Sequence, residues 1–285
     1  MARALIDTET GEKVADDVAS YRTARQQEAY EKHKEIENYK LRGTRPFIGC
    51  FHDSIKEATP HLSLTESGAV MKLLLYMKMN SKGLLQKGGE PLKQIDIRKI
   101  LGKGRTQTAE IVKKLEYLSI LVPDRKGRSK LFYMSEEFHI MGKGAGKRYF
   151  TKLLTSKLRE VVDDLKLEQL GFLYKVLPYF HFDTCVLSHN PNEREEKKIL
   201  HMNRKELAAA INYDVDNITT LVKQLRKKGL IMTTNSSGNV LYYVHPDLMY
   251  RQANDGNLSK YDALRAMFKA HQVNANRRLK TKKVA

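Results

Sequence analysis

Thr106, Ala109, Glu110, Lys113 and Tyr117 fall on one side of a helix if residues 106–118 wind at about 100° per residue, and Ile111, Leu115 and Leu118 fall on the other. The first side is polar with a small residue at its centre. With Arg105, Gln107 and Lys114 beside it, it offers donors and acceptors of the kind that read base edges, and cations of the kind that hold phosphates. A solvated helix displays the same composition, so this face alone leaves both readings open. Chemistry beyond binding has thinner support. Gly142-Lys143-Gly144-Ala145-Gly146-Lys147 has the look of a phosphate-binding loop, but three residues rather than four precede its Gly-Lys pair and Arg148 stands where Ser or Thr is needed. His181, Cys185 and His189 stand four apart and are ligand types for zinc, yet the segment passes into Val186-Leu187 and breaks at Asn190-Pro191, so a half-buried His and Cys is the default. No paired carboxylates, serine elbow or Cys–His pairing stands out. The expectation is a non-enzymatic protein with no cofactor and no metal.

The polar helix needs elements to hold it. Ile97, Ile100 and Leu101 face inward from a short helix before it, and Gly102-Lys103-Gly104 supplies the turn, glycine accepting the positive φ that ends a helix. After it come a short strand at Ile120-Leu121-Val122, a turn at Asp124–Arg128 and a return strand at Lys130–Met134. The hairpin carries Arg125, Lys126, Arg128 and Lys130 at its tip, where a wing meets a phosphate backbone. Helix, turn, helix and hairpin in this order make a winged helix-turn-helix.

The pattern recurs 110 residues on, where Leu221-Val222-Lys223-Gln224-Leu225 repeats Ile111–Leu115 and Leu241-Tyr242-Tyr243 repeats Leu131-Phe132-Tyr133. Apolar positions match, while the exposed ones become Asp216, Asn217, Thr219, Thr220, Lys223 and Lys227. The second hairpin tip, Asn235-Ser236-Ser237-Gly238-Asn239, has no basic residue, so the copies share a scaffold without gripping DNA equally. Upstream, the offset is 103: Phe47 matches Phe150, Ile55 matches Leu158, Leu64 matches Leu167, and Gly68 matches Gly171. One insertion of seven residues within Asn190–Lys198 reconciles the offsets.

This reading divides the chain into an arm and polar helix (1–44), a first winged-helix domain (45–135), a glycine-bearing linker (136–147) that leaves the domain angle free, a second winged-helix domain (148–250), and a helix with a basic tail (251–285). Residues 3–15 read as a small hairpin or a loose arm, with Thr8–Glu12 as the turn. Phe47–Ala58 reads as a helix, Thr65–Lys78 as a second one with Ser63 and Glu66 as a capping box, and Ser259–Gln272 as the last. The fold class expected is mainly α with small β-hairpin wings, two winged helix-turn-helix domains in tandem.

Of 285 residues 41% are apolar, and the net charge is +18, which calls for an anionic partner. The excess is uneven: −1 over residues 1–44, +7 over 45–141, +3 over 142–200, +2 over 201–257 and +7 over 258–285. The last segment carries Arg277, Arg278 and Lys280, a like-charged end expected to be disordered and to add non-specific nucleic-acid affinity. No apolar run suits a membrane span, the start is no secretory signal, and two scattered cysteines suit a reducing cytoplasm.

The LVKQLRKKGLI ending of the second polar helix and the return strand Leu241-Tyr242-Tyr243 resemble MarR-like winged-helix proteins of phages and plasmids. The span 47–250 is similar to the tandem winged helices of Gram-positive plasmid and phage replication initiators. The resemblance implies duplex-DNA binding through Thr106–Lys114 and Asp216–Gln224. The function expected is that of a sequence-specific transcription regulator of a mobile element. The alternatives are a replication initiator binding origin repeats and an architectural binder without sequence preference. Partners would be double-stranded DNA, another copy of the chain, or the replication or transcription machinery, with no membrane.

Overall fold

Two helices of the folded region cross so closely that neither tolerates a side chain at the crossing. They are α2 (Leu64–Leu74) and α6 (Leu167–Lys175), seen in a computed structural model that describes residues 5–7, 9–15, 25–31, 45–126, 129–142, 148–236, 239–252 and 259–284. A Cβ on Gly68 would stand 1.9 Å from the carbonyl oxygen of Leu167, and one on Gly171 would stand 1.9 Å from that of Leu64. Each helix thus passes its glycine over the first residue of the other.

A four-stranded antiparallel sheet carries the same reciprocity. Its strands are β3 (Phe47–Phe51), β8 (His139–Ile140), β9 (Phe150–Leu154) and β12 (Met249–Tyr250), in the order β12-β9-β3-β8. Phe47 pairs with Leu154 and Phe51 with Phe150, so the register centres on Gly49 opposite Lys152, and the 103-residue offset maps that pair onto itself. On the flanks, Cys50 pairs with His139 as Leu153 pairs with Met249. Residues 45–142 and 148–252 are therefore related by a pseudo-twofold axis through the centre of one sheet. A single apolar cluster runs through both, including Ile48, Leu73 and Leu115 from the first half and Leu153, Leu173 and Leu225 from the second.

Each half continues alike. In the first, α1 (His52–Ala58) and α2 lead through a hairpin of β4 (Gln86–Lys87) and β5 (Glu90–Pro91) to α3 (Gln94–Leu101), α4 (Arg105–Tyr117) and a second hairpin, β6 (Leu121–Lys126) with β7 (Ser129–Met134). In the second, α5 (Thr155–Val161) and α6 lead to α7 (Arg204–Ala210), α8 (Val215–Lys227) and a hairpin of β10 (Ile231–Ser236) with β11 (Asn239–Val244). Helix α9 (Asp262–Val284) follows. The Ser63–Glu66 capping box is formed in full, each partner bonding the other's backbone N–H. Residues 1–44 form a separate unit: β1 (Leu5–Ile6) pairs with β2 (Lys13–Ala15), Asp7 caps the turn by accepting from the Glu9 and Thr10 amides, and residues 25–31 are helical.

Four expectations change. Phe47–Phe51 is a strand rather than the start of a helix, paired on both edges; Gly49 lets Ile140 approach, since a Cβ there would lie 2.9 Å from the Ile140 side chain. The segment 136–147 is not simply a free linker. Phe138, His139 and Ile140 are buried and extend the shared sheet, which ties the halves together; residues 143–147, most of the glycine-lysine loop, lie outside the described residues. Helix α9 runs on to Val284, past the Gln272 end and through the segment expected to be disordered. The insertion is also finer than one event. Leu92 and Met202 bond back to Leu85 and Leu187, spans of six and fourteen intervening residues, while the bridges Met77–Leu85 and Phe180–Leu187 differ by one in the other direction. Their net is the seven residues expected.

Several polar groups in this core bridge the two halves. The buried Lys175 Nζ donates to the carbonyls of Thr59 (3.0 Å), Leu62 (2.5 Å) and Ile211 (2.8 Å), so one ammonium ties a turn of the first half to the end of α7 in the second. Its counterpart Lys72 sits 3.8 Å from Asp163. The Thr151 hydroxyl donates to the Leu177 carbonyl (2.8 Å) and so accepts from His52 Nε2 (2.9 Å), which assigns that ring's proton to Nε2. Burial pushes His52 and His139 down to about 3 and His245 to about 4.

Two outcomes follow. Gly68→Ala and Gly171→Ala each force a methyl group into a backbone carbonyl, and each is expected to destabilise by at least ~1–3 kcal/mol. Calorimetry should show both halves melting in one transition, and two resolved transitions would contradict the shared core. The three neutral histidines take up protons only on unfolding, because their folded pKa values lie below the ordinary 6.5. Stability is therefore full above about pH 6.5 and falls below it, by up to ~1.4 kcal/mol per pH unit per histidine. Denaturation midpoints between about pH 7 and pH 5 measure this, and a flat profile would count against neutral buried rings.

Candidate nucleic-acid interface

The two polar helices are positioned by their own termini. Helix α3 ends at Gly102, which takes the left-handed conformation (φ 63°), and Gly104 starts α4 two residues later. In the second half, Asn203 and Glu206 close a capping box on α7, and Asp214 accepts from the amides of Asp216 and Asn217 to start α8. Thr108, Ile111, Val112 and Leu115 bury one face of α4, and the matching Ile218, Leu221, Val222 and Leu225 bury one face of α8. Packing these stripes fixes which residues face out.

On α4 the outward residues are Arg105, Thr106, Gln107, Glu110 and Lys113, with Lys114 partly buried and its Nζ 5.7 Å from the centre of the Tyr117 ring. Tyr117 is 80% exposed, so its ring is available to a partner. On α8, Asp216, Asn217, Thr219, Thr220 and Lys223 are exposed, while Lys227 is partly buried where the Gln272 side chain bonds its carbonyl. The expected face of each helix is thus at the surface.

The hairpins differ more than their sequences suggest. Arg125 is exposed on β6; Lys126 belongs to the same strand by its backbone, and Arg128 lies outside the described residues. Lys130 is not a free cation. Its Nζ meets Glu116 Oε1 at 2.6 Å and lies 5.2 Å over the Phe132 ring, tying the hairpin to α4. In the second half the same two positions hold Val240 and Arg226, so this tie cannot form. A groove of about 710 Å³ opens there between α8 and its hairpin, lined by Arg204, Lys223 and Arg226 among neutral residues such as Thr219, Asn235 and Tyr242. Arg204 donates to Thr219 Oγ1 at 3.3 Å. Arg204 and Arg226 escape a reading of the chain in order. The signal for them lies in the 110-residue offset, which sets Arg204 against Gln94 and Arg226 against Glu116.

Helix α9 packs against the second half. Phe268 is buried with its ring 4.7 Å from His245, and Arg265 and Arg45 both hold the Asp247 carboxylate. Desolvation pushes Asp247 up, but the two guanidinium groups outweigh it and keep the carboxyl below its usual range. Arg277, Arg278 and Lys280 lie further along this helix, where only the backbone is described. His181, Cys185 and His189 do not converge. His181 Nε2 donates to the Glu193 carbonyl (2.8 Å), Cys185 is buried with φ 60°, and His189 faces Glu206 at 3.4 Å. Among the described residues no group of three His, Cys, Asp or Glu is placed to hold a metal ion, and no helix is long and apolar enough to cross a membrane.

A bond to a base edge and a bond to a phosphate leave different traces. Lys113→Ala or Thr106→Ala is expected to lower affinity for the preferred site by ~1–3 kcal/mol with little change on other duplexes. Neutralising Arg125, Lys126 and Arg128 together should weaken binding to every duplex and flatten the salt dependence by roughly 0.9 for each phosphate no longer neutralised. An unchanged salt slope would remove the first hairpin from the interface. Protein-family models, curated proteins and solved structures offer no match to this chain.

Proposed function

We propose that this chain is a sequence-specific double-stranded DNA-binding protein built from two winged helix-turn-helix modules, with no catalytic role of its own. The reading is that of a cytoplasmic transcription regulator of a phage or another mobile element, in keeping with the resemblance to MarR-like proteins. One observation carries it: the pseudo-twofold axis through the Gly49–Lys152 pair presents two exposed polar helices, each backed by a helix of its own and flanked by a hairpin. A net charge of +18 supplies the attraction that such a surface needs.

The axis also says what kind of site fits. Two readers related by a twofold meet the two strands of a duplex in equivalent ways, so their half-sites run in opposite directions. Because the outward residues of α4 and α8 differ, the half-sites differ in sequence, about one helical turn apart. One chain then does the work for which a single-module protein needs a dimer.

The alternative is a replication initiator of the plasmid or phage type, favoured by the tandem arrangement itself. Selection of duplexes from a random pool with the full-length chain tests the main reading. An imperfect inverted repeat bound by one chain is expected; no enrichment over the starting pool would sink it. Footprinting on the source genome then separates the two roles. A single protected site at a promoter supports the regulator, and an array of sites inside an origin supports the initiator.

A further inference from the structure

The two halves match element for element, yet the place where the second polar helix meets its hairpin has been rebuilt. In the first half that junction is closed by an acid–base pair, Glu116 with Lys130 at 2.6 Å. In the second half the acid is replaced by Arg226 and the base by Val240, and Arg204 replaces Gln94 at the start of the preceding helix. Three cations, Arg204, Lys223 and Arg226, then line one open groove, and no acidic residue is among its described lining. The Nε of Arg226 is buried and bonds to no group among the described residues. Asn235 and Asn239 stand on the hairpin side as neutral donors. Three like charges gathered around one groove without an acid repel one another, and a bound anion relieves that repulsion.

We propose that this groove is a phosphate seat in which Arg204, Lys223 and Arg226 hold the sugar–phosphate backbone of the bound duplex. It takes over in the second half the task performed by the basic hairpin tip in the first. The inference rests on the DNA-binding reading and adds to it. The second half, despite its neutral hairpin, contributes its own share of sequence-independent affinity, from the floor of the groove rather than from the tip. Guanidinium groups suit this role because their planar fork matches two phosphate oxygens at once. The first half differs at this junction because the acid at position 116 already occupies the cation opposite it.

The test uses the full-length chain and a random-sequence duplex, whose binding is read as a function of salt. Arg204→Gln with Arg226→Gln is expected to lower the salt slope by roughly 1.8, about 0.9 for each phosphate left without its cation, without moving the thermal midpoint. Lys223→Gln serves as a second variant if the pair disturbs folding, with an expected drop of about 0.9. Glu116→Gln, which frees Lys130, should shift the slope the other way. Wild-type binding with an unchanged slope in these groove variants overturns the seat while leaving the DNA-binding reading intact. No binding of any duplex by the wild type overturns that reading and the seat with it. Inorganic phosphate provides the remaining arm. If it raises the thermal midpoint of the wild type but not of the double variant, and the DNA salt slope is the same for both, the groove holds a free anion and the proposal fails.

Discussion

The crossing of α2 and α6 at Gly68 and Gly171 is the constraint around which the folded region is arranged. A helix can approach a neighbour's carbonyl this closely only where it lacks a Cβ, and here each glycine faces the first residue of the other helix. That contact sets the distance between the halves, and the centred register of β3 and β9 sets their orientation. Lys175 then ties them with three backbone carbonyls drawn from both sides. With the scaffold fixed, the outward faces of α4 and α8 have no freedom to turn independently, which suits recognition by a pre-formed surface.

On this symmetric frame the surface decoration is unsymmetric. Buried positions match closely: Ile111 with Leu221, Val112 with Val222, Leu115 with Leu225. Exposed ones diverge, because a residue in water is free of the packing that constrains a buried one. The same division appears in the electrostatics. The first half places its basic residues on the hairpin and locks one of them with Glu116; the second places them on the groove floor and leaves its hairpin neutral. Helix α9 adds a third difference, since it packs on the second half through Phe268 and Arg265.

Much of this is legible from residues in order. The apolar stripes of α4 and α8, the glycine turn before α4, the Ser63–Glu66 cap and both hairpins are local signals, set by contacts a few residues apart, and all stand in the structure. The exceptions lie where the deciding contact is distant. Phe47, Phe51 and Ile55 follow a helical spacing, but Phe47–Phe51 is held extended by strands about a hundred residues away. His139–Ile140 is a two-residue strand beside a glycine-rich loop, and nothing nearby announces it. Arg204 and Arg226 are hidden for another reason: ordinary charged residues in their own segments, they stand out only when each copy is laid on the other.

The order of strands in the shared sheet has a consequence for how the chain is made. As it leaves the ribosome, the first half can pair β3 with β8 as soon as residue 140 is out, but the other edge of β3 waits for β9, and β9 in turn waits for β12 near residue 250. Throughout that interval the nascent protein carries an unsealed strand and an apolar helix surface around Gly68, both prone to the wrong neighbour. A gene cut between the halves would make that transient exposure permanent. Chaperone demand should therefore be greatest midway through translation.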